Sequence, residues 1–205
     1  MSRVRGAAAA AASVVASYLA GAFPTAELVG RAYGRDVHHE GSGKPGATNT
    51  YRIAGPQAAA VVMAADVAKG ALTARAGRCG GPELSAACGL AAVIGHCFPP
   101  TVRSRRAGGG KGVATTAGML LAIDPPLGLA AALTWAAVAK GSKRPSLASI
   151  STAALLPLAA RMLRRPGTEV AAVTVASALI VIRHAGNLSR LVMGTEEEVK
   201  AASSP

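Results

Sequence analysis

Long apolar runs separated by short polar, glycine-rich or basic segments set the pattern of this chain. The first run covers residues 7–28, behind Arg3 and Arg5. Taken alone it would pass for a signal peptide, but the run continues past Pro24 and further runs follow, which favours a span. Residues 54–76 form the second run and residues 84–99 the third. Residues 113–139 are broken by Asp124-Pro125-Pro126, and proline disfavours helix at the residue before it. The break therefore predicts a turn between two helices. The first arm, residues 113–123, is short against the roughly 20 residues of a crossing, so it must tilt or start deep. Residues 147–163 and 170–182 complete seven predicted spans. Within the second, Asp66 and Lys69 stand at i and i+3 on one helix face and neutralise each other, a structural ion pair being the simpler role.

Composition and charge then fix the class. The chain is 51% hydrophobic and only 16% charged, with a mean hydropathy of +0.36 and a net charge of +12, so its basic residues belong to the loops of a membrane protein. Aromatic residues make up 3%, and none interleave the basic ones, so the stacking platforms of a nucleic-acid binder are missing. Arg31, Arg35, Lys44, Arg52, Arg103, Arg105, Arg106, Lys111, Lys140, Lys143, Arg144, Arg183, Arg190 and Lys200 fall on one set of loops. The other set holds half as many: Arg3, Arg5, Arg75, Arg78, Arg161, Arg164 and Arg165. The positive-inside rule places the first set in the cytoplasm, with the N-terminus outside and the C-terminus cytoplasmic. The expectation is an all-α integral membrane protein of about seven transmembrane helices, one domain over residues 1–205. Ala and Gly in the spans allow close helix approach. Cys79, Cys88 and Cys97 have no metal-ligand spacing and read as small apolar residues.

The segment Gly108-Gly109-Gly110-Lys111-Gly112-Val113-Ala114-Thr115-Thr116 carries the sharpest chemistry. Glycines let several backbone N–H groups converge, Lys111 adds a full charge, Thr115 and Thr116 add hydroxyls, and a helix start follows. Together they make an anion site. It is not a Walker A loop, since Gly112 stands where Ser or Thr would follow the lysine. A plain glycine linker is the alternative from this stretch alone. A second glycine- and hydroxyl-rich segment, residues 41–52, and the segment opening Arg183-His184-Ala185-Gly186-Asn187 fall on the same predicted side.

GSGKPGATNTYR (residues 41–52), GGKGVAT (residues 109–115) and HAGNLSRLVMGTE (residues 184–196) resemble, in order, the three motifs of the acyl-phosphate:glycerol-3-phosphate acyltransferases, the PlsY family. SYLAG (residues 17–21), the Asp66/Lys69-Gly70 pattern, GHCFP (residues 95–99) and SLASI (residues 146–150) are similar too. The resemblance implies transfer of a fatty acyl group from acyl phosphate to the 1-hydroxyl of sn-glycerol 3-phosphate, forming lysophosphatidic acid. It implies no metal or cofactor, a multi-pass protein of the cell membrane with its site facing the cytoplasm, and an enzyme that supplies acyl phosphate as partner. Gly109, Gly110, Lys111, Gly112 and Thr115 would hold the phosphate of the donor, and Ser42 and Arg52 that of the acceptor. Thr48 and Asn49 would shape the first loop, His184 and Asn187 would orient hydroxyl and carbonyl, and Glu196 would anchor the tail. Ser146 and Ser149 would add hydroxyl donors near the same face.

Departures from the family pattern are Lys44 where Asn is usual, no arginine near His38, Gly108 where lysine is common, and about three extra residues between His96 and Lys111. Other readings stand beside the enzyme: a relative that binds lipid phosphates without turnover or takes another acceptor, and an organic-anion or phosphate transporter. Transporters usually carry internal repeats and mid-membrane sites, and the chain shows neither. No acid stands beside His184 to orient it as a base, so the resemblance leans towards proton transfer to the donor phosphate, with His184 as a positioning donor.

Overall fold

The computed structural model describes residues 2–100 and 108–200, so Arg103, Arg105 and Arg106 of the predicted basic loop lie outside the described residues. Among the described residues every regular element is helical: α1 (Ser2–Gly21), α2 (Thr25–Ala32), α3 (Ala47–Gly77), α4 (Pro82–Cys97), α5 (Val113–Ile123), α6 (Pro125–Ser142), α7 (Pro145–Met162), α8 (Gly167–Arg183) and α9 (Ala185–Val192), plus a 3-10 turn at Arg78–Gly80. The apolar runs of the sequence fall on α1 and on α3 through α8. By length and apolarity alone, the run Arg5–Ala32 meets the requirement for a crossing, and α8 with α9 meets it as a pair bent by 61°.

Two predicted boundaries move. The first run is not one helix: the chain leaves α1 after Gly21 and re-enters helix as α2 behind Pro24, whose fixed φ and missing N–H suit a helix start but not an interior. The second run begins seven residues before its apolar part, at Ala47, and α3 kinks at Gly55 (φ 84°, ψ −178°) before Pro56. Thr48, Asn49 and Arg52 therefore ride on the first turns of α3 rather than in a loop. The turn at Asp124 is where the prolines put it. Asp124 ends α5 and caps α6, its carboxylate accepting Leu127 N–H at 3.3 Å, with Pro125 at the first helical position.

α3 packs against α1, α4 and α5, while α5, α6, α7 and α8 follow one another and α8 returns to α4 and α5. Glycine sets how close the helices come. A Cβ on Gly70 would lie 1.9 Å from the Thr115 carbonyl oxygen, and one on Gly118 1.9 Å from that of Val67, so α3 and α5 touch backbone to backbone. The outer surface carries Leu72, Leu129, Leu133, Leu155, Leu158 and Ile182, all exposed, whereas Asp66, Thr73, Ser85, Thr116, Thr152 and Ser177 are buried. Apolar outside and polar inside is the arrangement that an apolar solvent favours.

The loops sort to two ends. At one end the Asp124 carboxylate pairs with Arg165, Oδ2 to Nε 2.7 Å and Oδ1 to Nη2 3.0 Å, tying the α5–α6 turn to the α7–α8 turn. At the other end lie the start of α3, the segment leading into α5, the start of α7 and the end of α8. The three sequence motifs are at that second end.

Candidate active site

The first motif is folded around Asn49. Its Oδ1 accepts from the Ser42 backbone N–H (2.7 Å) and hydroxyl (3.1 Å), and its Nδ2 donates to the carbonyls of Val37 (2.9 Å) and Glu40 (3.1 Å). Four bonds from one buried amide explain why the loop holds its shape with so little apolar contact. Gly41 (φ 61°) is required there, because a Cβ would fall 2.3 Å from Asn49 Oδ1. Ser42 and Thr48 are exposed at the rim. Arg52 stands one turn beyond Asn49, half-buried, and makes no hydrogen bond or ion pair among the described residues. His38 is spent on the fold, its Nε2 lying 3.3 Å from Glu27 of α2.

The second motif enters α5 through Gly112, left-handed at φ 79° and without a side-chain cap. The first N–H groups of α5 therefore remain available, beside Lys111. Gly109 and Gly110 are buried, and Gly110 N–H donates to the His96 carbonyl (3.0 Å). Behind them Asp66 pairs with Lys69 at 2.8 Å, as the i, i+3 spacing predicts, and Lys69 also donates to the Phe23 carbonyl (2.7 Å). His96 Nδ1 lies 3.6 Å from the same carboxylate. These residues, with Pro24, Thr25 and Pro45, border a small cleft that Gly109 and Gly110 also line.

The third motif closes the network. Lys111 Nζ donates to Asn187 Oδ1 (2.7 Å), and Asn187 Nδ2 donates to Glu196 Oε1 (2.7 Å). Glu196 is buried and also accepts from Ser146 Oγ (2.6 Å) and Arg190 Nε (2.7 Å), so one carboxylate joins α7, α9 and the glycine segment. Burial by itself would raise its pKa, but the hydrogen bonds from Ser146, Asn187 and Arg190 outweigh that and hold it below the ordinary value. Burial brings Lys111 down to about 8; Glu196 opposes this, while Arg52, Arg190 and Arg183 add to it. Arg190 pairs with Glu196 and Lys111 feels its charge, while Arg52 and Arg183 add further positive charge around Lys111, so the site is short of negative charge.

His184 sits just beyond α8, buried, with Nδ1 2.8 Å from the Ile180 carbonyl. A carbonyl can only accept, so Nδ1 carries the proton and the neutral ring presents Nε2 as an acceptor. Burial, with Lys111 nearby, lowers His184 to about 4, so the neutral form prevails at physiological pH. The sequence reading expects a donating His184, whereas this tautomer leaves Nε2 as an acceptor.

A sequence model of the family described as "Glycerol-3-phosphate acyltransferase" matches residues 11–194. The chain belongs to that family. The glycerol-3-phosphate acyltransferase of Rubrobacter xylanophilus is 42% identical over 187 residues, covering 90% of this chain and 92% of that protein. That of Pseudomonas paraeruginosa is 44% identical over 186 residues, covering 89% and 95%. Among solved structures, PlsY, described as an integral membrane glycerol 3-phosphate acyltransferase, is similar in its glycerol 3-phosphate form. The TM-score is 0.87 at 32% identity, covering 94% of this chain and 96% of that one. Its lysophosphatidic acid form matches with a TM-score of 0.84 at 32% identity, covering 93% and 95%. The PlsY resemblance read from the three motifs is thus the family the whole chain shows.

Within this acyltransferase family member, Lys111, Asn187 and Glu196 are bonded in series, and Arg52 and His184 lie within electrostatic reach of Lys111. Other expected residues are engaged differently. Ser146 donates its hydroxyl hydrogen bond to Glu196, and Ser149 donates to the Pro145 carbonyl (2.7 Å) while accepting from Trp135 (3.0 Å). Thr115 is fully buried where α3 meets α5, its hydroxyl unpartnered. Arg183 was read in the sequence only as a loop charge, yet it touches the glycine segment directly. Its place immediately before the histidine of the third motif is the signal that would have found it.

Proposed function

We propose that this chain transfers a fatty acyl group from acyl phosphate to the 1-hydroxyl of sn-glycerol 3-phosphate, giving lysophosphatidic acid and inorganic phosphate. The observation that carries this reading is the Lys111–Asn187–Glu196 series set among Arg52, Arg183 and Arg190, at the uncapped start of α5. Both substrates are phosphorylated and the donor has an apolar tail, which suits a cationic site at the end of a helix bundle whose outer surface is apolar. The similar PlsY structures were obtained in forms named for this acceptor and this product. Gly109, Gly110, Lys111 and Gly112, with the first N–H groups of α5, take the donor phosphate, whereas Thr115, buried in the α3–α5 contact, stands behind that turn and does not reach it. Ser42 and Arg52, on the loop shaped by Thr48 and Asn49, take the acceptor phosphate, with Ser146 reaching the site through Glu196.

In the reaction, the acceptor hydroxyl oxygen bonds to the acyl carbon and the bond from that carbon to the phosphate oxygen breaks. Phosphate leaves with the electron pair, and the hydroxyl proton ends on it. His184 Nε2 accepts the hydroxyl hydrogen bond and aims the oxygen. With a pKa of about 4 it is a weak base, whereas the departing phosphate, whose charge grows as the bond to the acyl carbon breaks, is a better one. Asn187 keeps one amide N–H for the reacting carbonyl after bonding Glu196. No metal or cofactor enters this scheme. The seven long helices cross the cell membrane with the N-terminus outside, the site facing the cytoplasm and the C-terminus on that side, where an enzyme making acyl phosphate delivers the donor.

The test is acyl transfer in vesicles holding the purified protein, with radiolabelled glycerol 3-phosphate and either acyl phosphate or acyl-CoA. Labelled lysophosphatidic acid is expected from acyl phosphate alone. Label from acyl-CoA, or none from either donor, would reject the reaction.

A further inference from the structure

The peptide units on either side of Gly110 are both held by Arg183. Arg183 Nε donates to the Gly110 carbonyl (3.1 Å), and its Nη2 donates to the Gly109 carbonyl. The guanidinium lies over the Phe98 ring, 5.2 Å from its centroid, and Gly108 leaves it room, since a Cβ there would fall 3.0 Å from Nη2. In a planar trans peptide, C=O and N–H point in opposite directions. With the Gly109 carbonyl on Arg183, the Gly110 N–H must face the other way, and it is found on the His96 carbonyl at 3.0 Å. With the Gly110 carbonyl on Arg183 as well, the Lys111 N–H must also face away, and among the described residues it has no partner.

We propose that Arg183 is a positioning residue for the donor. By fixing two carbonyls with one planar fork, it locks the Gly109–Gly110 and Gly110–Lys111 peptides in the orientation that presents the Lys111 N–H to the acyl phosphate. A glycine segment has no side chains to bias its peptide orientation, so an external clamp decides it. Only a guanidinium suits this clamp: Nε and Nη2 lie in one plane at fixed separation, whereas an ammonium is a single point. Because Arg183 adjoins His184, the same helix end sets the donor loop and the residue that aims the acceptor. The inference rests on the reading that the glycine segment takes the donor phosphate.

The test uses the full-length protein in vesicles, with KM measured separately for acyl phosphate and glycerol 3-phosphate. Arg183→Gln is expected to raise KM for acyl phosphate about tenfold or more, the effect of losing one hydrogen bond to a charged group. KM for glycerol 3-phosphate should stay within about twofold, and Arg183→Lys should recover only part of the loss. Both KM values rising together with a lowered unfolding temperature, and no recovery in the lysine variant, would make Arg183 a general brace and overturn the proposal. Unchanged values for both would overturn it too, while a Lys111→Ala variant that still loses turnover would leave the donor reading standing. A rise confined to glycerol 3-phosphate would overturn the donor reading itself, because the clamped segment would then serve the acceptor. Should Arg183→Gln not accumulate, Phe98→Leu, which removes the ring beneath the guanidinium, carries the same expectation in sign.

Discussion

Lys111 and His184 have moved in the same direction on the pH scale with different consequences. In the proposed function Lys111 meets a phosphate dianion with its charge, and at about 8 it is a cation at neutral pH but loses the proton sooner than an ordinary lysine. Binding the dianion restores the charge preference, so the free enzyme and the complex should titrate differently. We expect kcat/KM for acyl phosphate to fall above about pH 8 while kcat persists to higher pH, measured as rate profiles from pH 6 to 10; a flat kcat/KM through that range would contradict the assignment. His184 stays neutral down to about 4, so it should contribute no limb between pH 5.5 and 8. His184→Ala should cut kcat by about a hundredfold, whereas His184→Gln, which keeps an accepting oxygen, should remain within about tenfold of the parent. Equal losses in both would show that Nε2 serves as a proton acceptor in its own right. At this scale the motifs gave Lys111, Asn187, Glu196 and His184 their places directly, whereas the tautomer of His184 was hidden. It depends on the Ile180 carbonyl one helical turn back, a main-chain partner that no side-chain pattern reports.

Helices were legible by apolarity, and their ends were not. Prolines announced the turn at Asp124, because a missing N–H is a local and absolute constraint. The early start of α3 was concealed because Thr48, Asn49 and Arg52 are polar: Thr48 faces out at the helix end, and Asn49 is buried to hold the loop before it. The break between α1 and α2 was concealed in the opposite way, by apolar residues continuing across it. The proposed orientation can be checked at the helix ends. A cysteine at Pro126, in the turn held by Arg165, should react with an impermeant thiol reagent in intact cells after the native cysteines are replaced. One at Gly186, beside the third motif, should react only in opened membranes. Reaction of both from the same side would remove the odd number of crossings between them.

Across the whole molecule, the all-helical architecture and the gathering of three distant motifs at one end followed from runs of apolar residues and the sorting of charge between loops. What pattern did not convey is how the gathered cations are oriented, since that is done by the glycine-segment carbonyls for Arg183 and by the buried Glu196 for Arg190 and, through Asn187, for Lys111. Glu196 stands after every helix in chain order. Synthesis runs from the N-terminus, so Lys111 is made, with Arg52 repelling it, before the carboxylate that holds Lys111 through Asn187. The newborn chain therefore has all its helices before it has the carboxylate that joins α7, α9 and Lys111, so the last knot of this network is tied from the tail inward.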